Sequence, residues 1–197
     1  MSTLFRNYIF KFNVMYHISI ISSSIRTGRK SHNVALYFQQ YLNENRVATV
    51  EILDLASYNF PVFEAPLRYQ AKPSLVALEF KNKIISSDGI LIVTPEYNGS
   101  IPASLKNIID LLYEEWHRKP IAFSTVSSGD FGGLQALTHL QFIFWKVRAW
   151  TFTANFPVSA VQEKFDNYGV PINKQETDSY AATFINEFVN CIESSKK

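Results

Sequence analysis

Three polar segments hold the residue types that could do chemistry, and the first is SSSIRTGRKSHN, residues 22–33. Ser22, Ser23, Ser24, Thr27 and Ser31 supply hydroxyls and Arg26 a planar charged fork, just ahead of a stretch with helical apolar spacing. The first backbone N–H groups of a helix have no intrahelical partner, so such a loop at a helix start suits a phosphate. Each charge-assisted hydrogen bond there contributes roughly 1.5–3 kcal/mol net. Taken alone, the segment reads equally well as a solvated polar loop with an incidental basic cluster.

The second segment is PEYNGS, residues 95–100, and the third SSGDFGG, residues 127–133. Pro95 fixes the backbone, Gly99 allows close approach and Tyr97 can pack near a planar ring, while the backbone amides could bond the edge of a heterocycle. The third segment, rich in glycine, could form a facing wall. Either one alone reads as a turn; on neighbouring strand ends the two support a common pocket.

Other chemistries lack their residues. A triphosphate loop needs glycine before its lysine, and Arg29 precedes Lys30. His32, His117 and His139 lie near serines or acids, yet no G-x-S-x-G elbow and no H-E-x-x-H pair occurs. They read as surface or hydrogen-bonded residues, so no catalytic side chain and no metal ligand is assigned. Cys191 is the sole cysteine, which excludes an internal disulfide, fits a reducing, cytoplasmic setting and reads as a semi-buried helix residue. A net charge of +2 is too small for the positive field that nucleic acid requires. No apolar run approaches the ~20 residues that span a bilayer, so neither nucleic acid nor membrane is an expected partner.

The elements that must position these segments follow from periodicity. A β-branched apolar strand covers 16–22, and a helix runs from Ser31 to about 43–45 with Val34, Phe38 and Tyr41 on one face. A strand at 47–55 leads into 56–73, which holds three prolines and no clean period, a long loop of the kind that is commonly functional. Val76, Phe80 and Ile84 mark a helix, 89–94 a fully buried strand, and Pro102 the first turn of a helix carrying Leu105, Ile108, Ile109 and Leu112. A strand at 121–128, a helix with Leu137, Leu140, Phe144 and Val147, and an alternating strand at 149–154 come next. An irregular stretch reaches Pro171, and Asn173 with Glu176 caps a last helix buried through Phe184, Ile185, Phe188, Val189 and Ile192.

Alternating strands and helices imply an α/β fold: a doubly wound, five-stranded parallel sheet in the order 2-1-3-4-5, helices on both faces. Ligands then sit beyond the carboxyl ends of strands one and three, where the first two segments lie. At 197 residues, with 47% hydrophobic and 18% charged, one domain over 15–197 is expected, preceded by a poorly ordered extension, 1–14, that lacks acidic residues like a targeting peptide. The 15% aromatic share suits the core first, then a stacking site or subunit interface.

From residue 16 to the last helix, the chain resembles the NADPH-dependent FMN reductases, which include quinone, azo-dye and chromate reductases of flavodoxin-like fold. TPEYNGSIPASLKNIID, residues 94–110, is similar to that family's flavin-ring motif and following helix, so Pro95, Glu96, Tyr97 and Asn98 are implied at the ring. Residues 21–33 resemble its phosphate loop, implying Ser24, Arg26 and Ser31 as phosphate ligands, with His32 and Asn33 at the helix start. Ser23 stands where many members carry glycine, and Arg29 with Lys30 lengthens the loop. VSSGDFGG, residues 126–133, resembles the third loop and implies Ser127 and Gly129 near the flavin.

The resemblance implies FMN as cofactor, NADPH or NADH as co-substrate, and a small electron acceptor. It also implies a homodimer, for which the segment Tyr58 to Tyr69 is the candidate wall. Two alternatives stay open: a flavodoxin-like electron carrier, for which a marked acidic surface would be expected, and a flavin-less interaction module.

Overall fold

The computed structural model describes residues 15–197, and the expected extension 1–14 lies outside them. β1 (Tyr16–Ser22), β2 (Ala48–Asp54), β3 (Gly89–Pro95), β4 (Pro120–Val126) and β5 (Trp150–Thr151) form one parallel sheet in the order β2-β1-β3-β4-β5. The connections carry α1 (Ser31–Glu44), α2 (Leu55–Tyr58), α3 (Leu75–Ser86), α4 (Ala103–Leu111) and α5 (Leu134–Lys146); α6 (Val161–Lys164) and α7 (Lys174–Ser195) follow β5. This is the expected doubly wound, flavodoxin-like sheet.

Strand alternation divides the core into two layers, because successive side chains point to opposite faces. Ile18, Ile20, Leu91, Val93 and Ala122 face α1 and α7, while Ile21, Ile90, Ile92, Ile121 and Phe123 face α3, α4 and α5. All of β3 and β4 is buried; β3 accordingly reads as a nearly continuous apolar run, whereas β4 carries Ser124 and Thr125, whose hydroxyls donate to the Phe156 and Gly132 carbonyls. Full burial of one such side chain contributes about 1.5–3 kcal/mol. Trp116 is wholly enclosed, and its indole N–H donates to the Ile109 carbonyl at 3.2 Å, so burial leaves no polar atom unmatched.

Helix ends follow their caps. Ser74 accepts from Ala77 N–H ahead of α3; Asn173 accepts from Glu176 N–H and donates to its carboxylate at 2.7 Å ahead of α7, a reciprocal cap.

Four expectations need correction. The strand placed at 47–55 ends at Asp54, whose carboxylate caps α2, so Leu55 is already helical. The long loop at 56–73 is not structureless: α2 takes its start and a 3-10 turn spans Leu67–Tyr69. Pro102 stands one residue before α4, where its carbonyl accepts from Leu105 and Lys106. The strand at 149–154 pairs only at Trp150 and Thr151, and sheet pairing resumes as a single bridge between Val126 and Val158. Between these points the outer segment runs two residues longer than β4, so the ladder cannot stay in register. Among the described residues, no helix is long and apolar enough to cross a membrane.

Candidate functional site

The carboxyl ends of β1, β3 and β4 release three loops that are bonded to one another. Ser23 N–H donates to the Val93 carbonyl at 3.1 Å, and Ser104 Oγ, at the start of α4, donates to the Ser23 carbonyl at 2.6 Å. Ser24 Oγ lies 2.6 Å from the Tyr97 hydroxyl. Glu96 N–H donates to the Val126 carbonyl at 3.0 Å, which carries the sheet ladder into the third loop. The two regions singled out from the sequence therefore form one surface.

In the first loop Ser23, Ser24, Ser31 and Asn33 are buried, while Arg26 and Thr27 are exposed. Arg29 N–H closes a turn onto the Arg26 carbonyl. Among the described residues, the backbone N–H groups of Thr27, Gly28, Lys30, Ser31 and His32 meet no acceptor, and the Arg26 guanidinium has no partner. Three buried side-chain atoms are likewise unmatched: Ser23 Oγ, Ser31 Oγ and Asn33 Nδ2. An unmatched buried polar atom costs about 1–3 kcal/mol, so two of them at the first turn of one helix, beside open N–H groups, fit an anion of phosphate type.

The second loop turns through Asn98 and Gly99, with φ of 50° and 75°, between Tyr97 and Ser100, whose backbones exchange bonds of 2.8 and 3.0 Å. Two successive left-handed residues define a tight hairpin turn, which is why the Asn-Gly pair stands here. The N–H groups of Asn98 and Gly99 have no acceptor among the described residues. Pro95 is buried at the end of β3. Glu96 does something the sequence did not announce: its carboxylate accepts from Gln135 N–H at 2.9 Å and from Ala136 N–H at 3.3 Å, capping α5. In the third loop Ser127 Oγ donates to the Gly129 carbonyl at 2.7 Å, and Ser127 N–H is fixed on the Val158 carbonyl.

The electrostatics centre on Arg29, which in the sequence marks only a longer loop and the absence of the triphosphate-loop glycine. Its guanidinium forms a two-pronged bond with the Asp54 carboxylate, both distances 2.5 Å, and also donates to the Ser24 carbonyl. Burial by itself would raise the Asp54 carboxyl, but the Arg29 bonds, with Ala56 N–H, hold it below the ordinary carboxylate value. His32, with Nδ1 at 2.9 Å from Ser22 Oγ, is lowered by burial and then by the Arg29 charge, against the opposing pull of Asp54. Asp54 ends the strand neighbouring β1, so strand order alone places it beside the first loop.

Nothing in the sequence pattern singles out Ser104 or Asn107, whereas His139 is the hydrogen-bonded surface residue expected. Asn107 holds the long loop with both ends of its amide, accepting from Phe63 N–H at 2.6 Å and donating to the Pro61 carbonyl at 2.7 Å. His139 Nδ1 lies 2.8 Å from Ser100 Oγ, tying α5 to the second loop. A largely apolar cleft of about 350 Å³ opens beside the first loop, lined by Ile25, Leu55, Phe60, Val62, Ser104 and Asn107 among others.

Residues 16–163 match the family model of the NADPH-dependent FMN reductases. The chain is 31% identical over 135 residues to an NAD(P)H-dependent FMN reductase of Nectria sp., covering 64% of this chain and 66% of that one. It is 32% identical over 128 residues to a quinone reductase of Pseudomonas putida, covering 62% and 66%. The matched part thus spans just under two thirds of these relatives. Among solved structures, the flavoenzyme NAD(P)H:(acceptor) oxidoreductase FerB from Paracoccus denitrificans superposes with a TM-score of 0.75 at 24% identity, over 92% of this chain and 99% of that one, which supports the fold.

Proposed function

Because the chain belongs to the NADPH-dependent FMN reductase family, we propose that it is an oxidoreductase that holds FMN non-covalently across the three loops. Reduced nicotinamide, NADPH or NADH, is the electron donor, and a quinone, azo compound, metal oxyanion or free flavin the acceptor. The observation that carries this reading is the pair of unmatched buried atoms, Ser31 Oγ and Asn33 Nδ2, at the open first turn of α1.

Bound FMN supplies the hydride and electron chemistry. The chain's residues bind and orient. Ser24, Arg26 and Ser31 hold the phosphate, with Asn33 and the N–H groups of the first turn; His32 stays neutral above the acid range and braces Ser22. Tyr97 flanks the ring, and the open N–H groups of Asn98 and Gly99 address its edge, with Ser127 and Gly129 on the facing side. Pro95 sets the direction of that loop, and Glu96 acts through α5. No side chain needs to exchange a proton in this scheme, so none is named as catalytic.

The same reading includes a homodimer in the cytoplasm. Exposed apolar residues support the dimer: Val62 and Tyr69 of the long loop, and Phe131, Leu134, Phe142 and Trp145 on and before α5. Cys191 as a free, half-buried thiol supports the compartment. Light scattering of the purified protein at micromolar concentration tests the dimer; a monomer with intact flavin binding removes it.

The deciding experiment is to purify the protein, record its visible spectrum, and follow nicotinamide oxidation with a quinone, an azo dye and free FMN. A yellow protein that oxidises NADPH or NADH in the presence of one of these acceptors is the expected result. A colourless protein that takes up no added FMN rules the reading out.

A further inference from the structure

Gly169 lies beyond the family match, in the turn between α6 and α7, and presses on the helix that carries the candidate phosphate residues. A Cβ at this position would stand 2.7 Å from the Asn33 carbonyl oxygen, 2.7 Å from Tyr37 N and 2.8 Å from Leu36 Cβ. Asn33 and Tyr37 are four apart in α1, so the turn sits directly over one helical hydrogen bond of that first stretch. Its φ of 83° is left-handed, which alone favours glycine.

The turn is stiff on its own side. The Asp166 carboxylate accepts from Tyr168 and Val170 N–H, each at 2.8 Å, and Asp166 N–H donates to the Val170 carbonyl. Phe165 is buried in the core and bridges Pro171. Two side chains fasten the turn to α1: Lys30 Nζ donates to Asn167 Oδ1 at 2.8 Å, and Gln40 Nε2 to the Tyr168 carbonyl at 3.0 Å. The contact thus brackets α1 from the residue before its start to its third turn, and Ser31 and Asn33 lie within that bracket.

We propose that the Asp166 to Val170 turn is a clamp that sets the position of the first turn of α1, with Gly169 as its positioning residue, so that the chain distinguishes FMN from riboflavin. The proposal rests on the FMN reading above. Binding groups must be held within about 0.5 Å of their working geometry. A methyl at 169 meets helix backbone rather than a flexible side-chain tip, so α1 or the turn must shift by more than that tolerance allows. The damage falls on phosphate contacts, since ring contacts come from the loops after β3 and β4.

The test is to titrate flavin-free wild type, Gly169→Ala and Asn167→Ala with FMN and with riboflavin, reading flavin fluorescence, and to melt each apo protein. In wild type FMN binds more tightly than riboflavin. In Gly169→Ala that preference shrinks by about tenfold while riboflavin affinity stays within about twofold; Asn167→Ala shrinks it by about threefold. A merely structural role would weaken both flavins together, and that result, or an unchanged preference in a folded Gly169→Ala, overturns the clamp alone. If Gly169→Ala does not fold, Asn167→Ala decides in the same way. Wild type that binds neither flavin overturns the FMN reading and the clamp with it.

Discussion

Ser24 Oγ and the Tyr97 hydroxyl, 73 residues apart in the chain, lie 2.6 Å from each other and join the loop after β1 to the loop after β3. One hydroxyl donates and the other accepts, so the bond couples the phosphate side of the candidate site to its ring side. Tyr97→Phe keeps the ring and removes the bond. We predict that it weakens FMN and lowers apo stability by about 1 kcal/mol each. Combined with Ser24→Ala in a double-mutant cycle, the losses should be non-additive by about 0.5–1.5 kcal/mol; strict additivity in fluorescence titration would mean the bond does no coupling.

Arg26 and Arg29 should separate by what they fail at. Arg26 is exposed and, among the described residues, unpaired, so Arg26→Ala is expected to weaken FMN by about ten- to hundredfold while leaving the apo melting temperature in place. Arg29 is engaged with Asp54, both side chains under a fifth exposed. Arg29→Ala leaves that carboxylate without its partner and should cost the apo protein about 2 kcal/mol. Denaturant unfolding of the two apo variants checks the contrast, which fails if both lose stability equally.

The Asp54 and His32 shifts act on the same side of neutrality. Asp54 is held below its ordinary value in the fold, so its contribution is present above that value and lost as pH falls through the folded one. His32 is lowered from 6.5, so the fold favours its neutral form, and that contribution is complete above 6.5 and lost as pH drops below it. The melting temperature of the apo protein should therefore fall in two stages as pH drops from 7, first below 6.5 through His32 and then below 3.8 through Asp54. His32→Asn, which retains a polar atom near Ser22, should flatten the upper part of that fall; an unchanged slope would show that His32 does not contribute.

Glu96 belongs to the motif most suggestive of ring binding, yet its carboxylate caps α5 through Gln135 and Ala136. Glu96→Ala is expected to cost about 1 kcal/mol of stability, with Glu96→Gln recovering part through the remaining hydrogen bonds. FMN affinity should change by less than about threefold, below the scale of one direct contact. A tenfold loss in titration would return Glu96 to the binding site.

Legibility in the sequence tracked how local the cause was. β3 was readable because a strand buried on both faces carries apolar residues at nearly every position, and β1 because Ile18, Ile20 and Ile21 give it a β-branched, buried centre. Asn173 with Glu176 was readable because a reciprocal cap is complete within four residues. The loops carrying Ser24, Ser31 and Tyr97 were found through their place at strand ends, which strand order supplies. What stayed hidden depends on distant partners. Glu96 serves N–H groups some forty residues on, and Arg29 finds Asp54 only once β2 lies beside β1. Gly169 looks like any turn glycine until α1 is set against it. The alternation at 149–154 misled because a period of two marks an extended segment, whether or not a neighbour pairs with it.

The broken pairing of β5 also bears on how these molecules behave in a crowded solution. A long, straight outer strand offers an unpaired row of N–H and C=O groups on which another chain can polymerise. Here the ladder stops after Thr151, residues 152–155 fall outside the pairing, and contact returns at Phe156 and Val158, whose N–H groups donate to the Phe123 and Thr125 carbonyls, with the exposed Pro157, which has no N–H to offer, between them. That rim gives no continuous template, so the sheet is protected on this side against growth into fibrils.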